Sequence, residues 1–86
     1  MTLQDIDNYI DKKIRQNKNH IVFTFYELRV KLDLSSEETY NFLHLVSIKL
    51  ENNGYMIYRT GQSFNYEGKG YKVKENQLLV AVKGSK

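Results

Sequence analysis

Thr24–Ile57, TFYELRVKLDLSSEETYNFLHLVSIKLENNGYMI, decides how the rest of this chain is read. Phe25, Leu28 and Leu32 fall three and four apart, which places them on one face of a short helix. Asp33-Leu34-Ser35 breaks that period, and Leu34 is placed to drop into a core from the turn. A second periodic run follows, with Thr39, Leu43, Val46 and Leu50 on one stripe. It stops at Asn52-Asn53-Gly54, where glycine can take the left-handed conformation that ends helices. The β-rich Tyr55–Thr60 comes next. Two helices joined by a short turn and followed at once by a strand make a helix-turn-helix unit with a sheet attached.

Capping signals support these boundaries. Thr24 and Glu27 have capping-box spacing, and Ser35-Ser36-Glu37-Glu38 repeats the device, with Ser35 or Ser36 as the cap. Upstream, Thr2 and Asp5 can open a first helix whose stripe is Leu3, Ile6, Ile10 and Ile14, with Tyr9 at its edge. That helix should fray near Asn17-Lys18-Asn19, and Ile21-Val22-Phe23 is a short strand. Downstream the texture is that of strands. Gly61-Gln62 and Glu67–Gly70 are two turns that compete for the tip of a hairpin. Phe64 and Tyr66 alternate with polar residues, and Tyr71-Lys72-Val73-Lys74 alternates in the same way. Leu78–Val82 is continuously apolar, as suits a strand covered on both faces or one pressed onto the helices, and Gly84-Ser85-Lys86 is a frayed end.

Eighty-six residues make one domain with a thin core. There is no cysteine, so neither disulfides nor thiol chemistry enters. His20 and His44 are isolated and lack metal-ligand spacing, and nothing calls for a cofactor. No apolar run approaches the ~20 residues that span a membrane, so a soluble cytoplasmic protein is expected. Gly61, Gly68 and Gly70 do not have the spacing of a phosphate loop, and no nucleophile has a base with an orienting partner, so an enzyme is not expected.

The order helix, strand, helix, helix, strand, strand, with or without one extra strand, resembles the winged helix-turn-helix superfamily over essentially the whole chain. The resemblance is carried by FTFYELRVKLDLSSEETYNFLHLVSIKLENNGYMIYR and the basic strands after it. It implies an α+β fold of three helices with a small antiparallel sheet. It also implies a double-stranded DNA-binding protein that acts as a homodimer, usually in transcription regulation. The dimer contact would come from the first helix near Tyr9 and Lys13 or from the C-terminal strand.

Charge distribution bears on that expectation. The chain is +3 in all; residues 1–51 hold seven Lys or Arg against eight Asp or Glu, and residues 52–86 hold six against two. A basic second half suits a polyanion. Arg59, Lys69, Lys72 and Lys74 are the candidate phosphate contacts, with Arg59 or Lys69 reaching a minor groove. On the second helix of the motif, Asn41 can read adenine, His44 can meet a base or phosphate, and Lys49 lies at the edge. Ser35 and Ser36 with the helix N-terminal amides can hold a phosphate. Each of these residue types is, singly, more often merely solvated.

Other features oppose a groove-reading role. Lys49 is the only lysine or arginine on that helix, and Glu37 and Glu38 stand at the end that would approach the duplex. Leu45 and Ile48 face outward; packing beneath the wing is the first expectation, with thymine methyls or a protein partner as alternatives. Two rival functions follow: a protein-interaction module that uses Leu45 and Ile48, and a single-strand binder that stacks bases on Tyr58, Phe64 and Tyr66. For those aromatics, a place in the core is the stronger reading.

Overall fold

The computed structural model describes residues 2–16 and 19–84. The first helix, α1 (Leu3–Gln16), leads into strand β1 (His20–Thr24). A six-residue helix, α2 (Tyr26–Lys31), and a long helix, α3 (Ser36–Asn52), come next. Four strands finish the chain: β2 (Tyr55–Arg59), β3 (Ser63–Tyr66), β4 (Lys69–Lys72) and β5 (Gln77–Lys83). The fold is α+β, with three helices and antiparallel sheets. The expected frays at Asn17-Lys18 and Ser85-Lys86 lie outside the described residues.

Both capped helix starts form. At α1, Asp5 N–H donates to Thr2 Oγ1 while Thr2 N–H donates to Asp5 Oδ2. At α3, Ser35 is the cap: Glu38 N–H donates to Ser35 Oγ, and Ser35 N–H donates to Glu38 Oε1 at 2.8 Å. Two backbone donors that a helix start leaves without partners are thereby satisfied. The stop at Gly54 is real too, with φ +88°.

α2 departs from expectation because it is wound as a π-helix. Leu32 N–H donates to the Glu27 carbonyl, five residues back. Each such turn takes in an extra residue, so a spacing of three and four no longer closes one face. Leu28 is fully buried, Leu32 is half-buried, and Phe25 is 47% exposed under the Arg29 guanidinium. The capping box at its start is half formed. Glu27 N–H donates to Thr24 Oγ1, but the Glu27 carboxylate accepts from Tyr9 Oη and Lys13 Nζ on α1. Left-handed Asp33, φ 55°, then turns the chain so that Leu34 enters the core as expected.

The main sheet has the order β1–β5–β2, with β5 at its centre. Ile21 opposes Ala81 and Phe23 opposes Leu79 on one side; Ile57 opposes Ala81 and Tyr58 opposes Val80 on the other. Side chains alternate across the sheet. Ile21, Phe23, Tyr55, Leu79 and Ala81 pack on Ile10, Leu28, Phe42, Val46 and Leu50 of the helices. Burying each such side chain contributes about 1.5–3 kcal/mol. Val80 and Val82 point the other way, where Phe64 and Val73 cover them with Val22, Tyr58 and Tyr66 at the edges. The β3–β4 hairpin is therefore a third layer on the back of the sheet, which accounts for the continuous apolar run of β5.

Candidate interaction face

α3 presents four sides. Thr39, Leu43, Val46 and Leu50 face the core and are buried as the period predicts, and Phe42 joins them. One flank meets the sheet, where Arg59 Nη2 donates to Ser47 Oγ at 3.2 Å. The other flank meets α1, where Lys49 Nζ lies 3.4 Å from Asp11 and 3.7 Å from Asp7. Asp7 and Asp11 are one turn apart, so a single lysine bridges both. Between the flanks runs an exposed ridge of Glu37, Tyr40, Asn41, His44, Ile48 and Glu51. The lysine at the edge of this helix is therefore already paired with carboxylates, and the charges left on the ridge are negative.

Leu45 and Ile48 do not sit beneath a wing. With Leu3 and Ile6 of α1 they line an apolar groove between α1 and α3. The hairpin cannot cover them because it packs on the far face of the sheet. The groove has two adjoining hollows of ≈ 240 Å³ and ≈ 320 Å³ that share Leu3, Ile6 and Leu45. Leu34 and Phe42 floor one, and Ile48 walls the other. Leu3 is 69% exposed and Ile48 46% exposed, so this apolar surface is open to water. Glu38 and Asn41 stand at one end, and Asp7, Lys49 and Asn52 at the other.

The remaining sequence candidates divide into two groups. Ser35 and Ser36 are exposed, but the Ser35 hydroxyl and N–H are both engaged with Glu38. Hydrogen bonds with the Ser35 backbone and then its side chain hold the Glu38 carboxyl below its ordinary value. Glu38 thus stays an anion at the α3 N-terminus, where a phosphate would otherwise be favoured. Lys72 and Lys74 share a shallow concavity with the Thr60-Gly61 turn that follows Arg59. Two backbone hydrogen bonds tie that turn to Val73: Gly61 N–H donates to the Val73 carbonyl, and Val73 N–H donates to the Gln62 carbonyl. Lys69 lies elsewhere. It pairs with Tyr66, whose ring meets His20 opposite Val82, whereas Arg59 pairs with Leu79. Three residues of strand, about 10 Å, and a change of layer separate Lys69 from Arg59, the two alternative candidates for a minor groove.

The aromatics of the hairpin are structural. Tyr58 stacks on Phe64 at 4.5 Å and Phe64 on Tyr71 at 5.5 Å, so these rings pack on one another. Tyr71 alone is substantially open, at 40% exposure. The sequence had a signal for the α1 wall that the reading missed. Asp7 and Asp11 repeat one turn apart beside the Leu3–Ile6 stripe, which marks a helix edge built to face a cation.

Among the described residues, no helix is long and apolar enough to cross a membrane, and no three His, Cys, Asp or Glu side chains cluster as a metal site requires. No protein-family model, curated protein or solved structure matches the chain.

Proposed function

We propose that this domain is a winged helix-turn-helix module that docks another protein through the α1–α3 face, rather than a duplex reader led by α3. The layout supports the first part. Helix, strand, helix, helix and strand are followed by a central last strand in the order β1–β5–β2, with the β3–β4 hairpin inserted where a wing would be.

The observation that carries the second part is the pairing of Lys49 with Asp7 and Asp11. A helix entering the major groove runs between two rows of phosphates. Each carboxylate brought within ~4 Å of a phosphate is opposed by roughly 1–4 kcal/mol, depending on how much water remains. Glu37, Glu38 and Glu51 on α3 have no free lysine or arginine on that helix to offset them. Open leucine and isoleucine beside them are wasted in water but useful against a protein.

A second reading is a homodimeric double-stranded DNA-binding regulator. One observation favours it: Lys72 and Lys74 stand together in a concavity beside the Thr60-Gly61 turn, with Glu75 the one carboxylate in its lining. That concavity can grip phosphates without sending α3 into the groove.

The test is a photo-crosslinking residue placed at Ile48 in one variant and at Lys72 in another, each in the full chain in its native cells. A discrete protein adduct at Ile48 that is lost with Leu45→Asp supports docking. A nucleic-acid adduct at Ile48 overturns it. A nucleic-acid adduct at Lys72 alone, with enrichment of duplex fragments that fades steeply with salt, establishes the second reading.

A further inference from the structure

We infer that the α1–α3 groove takes a basic amphipathic helix. This inference rests on the docking reading and names its occupant. Three observations converge on it. First, the hollows are open and small. At ≈ 240 and ≈ 320 Å³ they lie at or below the low end of the ~300–1,000 Å³ of small-molecule pockets. Separate side chains of one ligand suit them better than one compact molecule. Second, they lie in a row along α3. From Asn41 to Ile48 is about 10 Å of helix rise, the distance between residues i and i+7 of a helix laid alongside. Apolar side chains at i, i+4 and i+7 of a docked helix would meet the hollow floored by Leu34 and Phe42 and the one walled by Ile48.

Third, the rim selects the partner's charge. Asp7 and Glu38 line the groove with Lys49 as the one cation in its lining, Asp11 shares that lysine with Asp7, and Glu37 and Glu51 follow on the exposed ridge. Lysines and arginines beside the apolar stripe of the incoming helix would answer those carboxylates and steer the encounter. The same rim disfavours a second copy of this chain. A two-fold contact places the patch against its own copy, so two rims that each carry more carboxylates than lysines would face each other. The stripe of α1 is not available as that ligand, because Ile10, Ile6 and Ile14 pack on the core.

The probe is a helical peptide of about 16 residues built from Leu, Ala and Lys, with Leu at i, i+4, i+7 and i+11. Its partner has Glu in place of every Lys, and a third peptide has Ala in place of every Leu. Binding to the full chain is followed by fluorescence anisotropy at two salt concentrations. The Lys peptide is expected to bind at least tenfold more tightly than either control and to weaken as salt rises. Ile48→Ala and Asp7→Asn, both at exposed positions, should each weaken it severalfold. Leu45→Asp should abolish it, with the backbone amide spectrum showing that the domain is still folded. Equal binding of the Lys and Glu peptides overturns the inference, and so does undiminished binding of the Ala-substituted peptide, which would indicate charge attraction alone. A dimer of the chain that dissociates on Ile48→Ala overturns it as well, because the groove would then be self-covered. Protein adducts at Ile48 without binding of the Lys peptide would leave docking standing and remove only the basic helix.

Discussion

Lys13 of α1 and Glu27 of α2 lie 3.0 Å apart, and the same ammonium donates to the Val22 carbonyl at 3.0 Å. Lys13 reaches both carboxylate oxygens, and Tyr9 Oη donates to Oε2. This network ties the first helix to the start of the helix-turn-helix unit. With 18% and 13% of the two side chains exposed, it is largely shielded. Lys13→Met leaves Glu27 shielded and short of a partner, so it should lower stability by about 1–3 kcal/mol, read by urea denaturation. Glu27→Gln in the same chain should restore part of the loss, because the amide carries no charge to desolvate.

The same glutamate gives the fold a pH signature. Burial pushes the Glu27 carboxyl above its ordinary value of 4.5, while a backbone hydrogen bond at Thr24 and the charge of Lys31 pull it part of the way back. The folded state therefore holds this proton more tightly than the unfolded state. Stability from this group is full below pH 4.5 and is lost as pH rises through the raised folded value. Glu27→Gln removes that slope. The difference in unfolding free energy, variant minus wild type, should grow between pH 4.5 and 7.

Ser35 and Glu38 act in the opposite direction. The Glu38 carboxyl is held below 4.5, so its contribution is present above that pH and is lost as pH falls through the lowered value. Ser35→Ala should cost about 1 kcal/mol and should flatten the acid limb of the stability curve. Thermal melts at pH 3 and pH 7 test both effects.

Gly54 is required by its backbone. With φ +88°, a side chain there is strained whatever space surrounds it, and a Cβ would also meet Lys83 Nζ at 3.7 Å. Lys83 Nζ donates to the Asn53 carbonyl at 2.7 Å and lies over the Tyr55 ring. Gly54→Ala should cost roughly 1–2 kcal/mol. The loss should appear chiefly as faster amide exchange at the α3 C-terminus and in β2.

The hairpin on the back of the sheet should open separately from the rest. It is held there by Phe64 and Val73 against Val80 and Val82 and by the Tyr58–Phe64 stack. Phe64→Ala should cost about 3 kcal/mol for that layer. Amides of β3 and β4 should lose protection while those of β5, hydrogen-bonded on both sides, keep theirs.

Local chemistry made much of the fold readable in the sequence. The caps at Thr2 and Ser35, the stripe from Thr39 to Leu50, the stop at Gly54 and the two-sided run of β5 each rest on neighbours in the chain, and each appears in the structure. What escaped depended on partners far away. α2 was expected as an ordinary helix, but it is wound as a π-helix, its Glu27 is bonded to Tyr9 and Lys13 of α1, and it ends at left-handed Asp33, none of which periodicity reports. The place of Leu45 and Ile48 depended on where the hairpin lies, and a sequence of alternating strands does not say which face of a sheet a ribbon will cover. Likewise, Lys49 was visible as a cation, but its pairing with Asp7 and Asp11 requires knowing which flank of α3 meets α1.

The central position of β5 has a consequence for how the protein is made. β1 and β2 share no hydrogen bonds with each other; both pair only with β5. During synthesis every helix emerges from the ribosome before residues 77–83, leaving two strands with open backbone donors and acceptors for as long as translation of the interval takes. Such edges invite pairing with other chains. The nascent protein is therefore most exposed to aggregation just before its last strand appears, and a ribosome stalled in that interval would hold a chain that has its rods but cannot close.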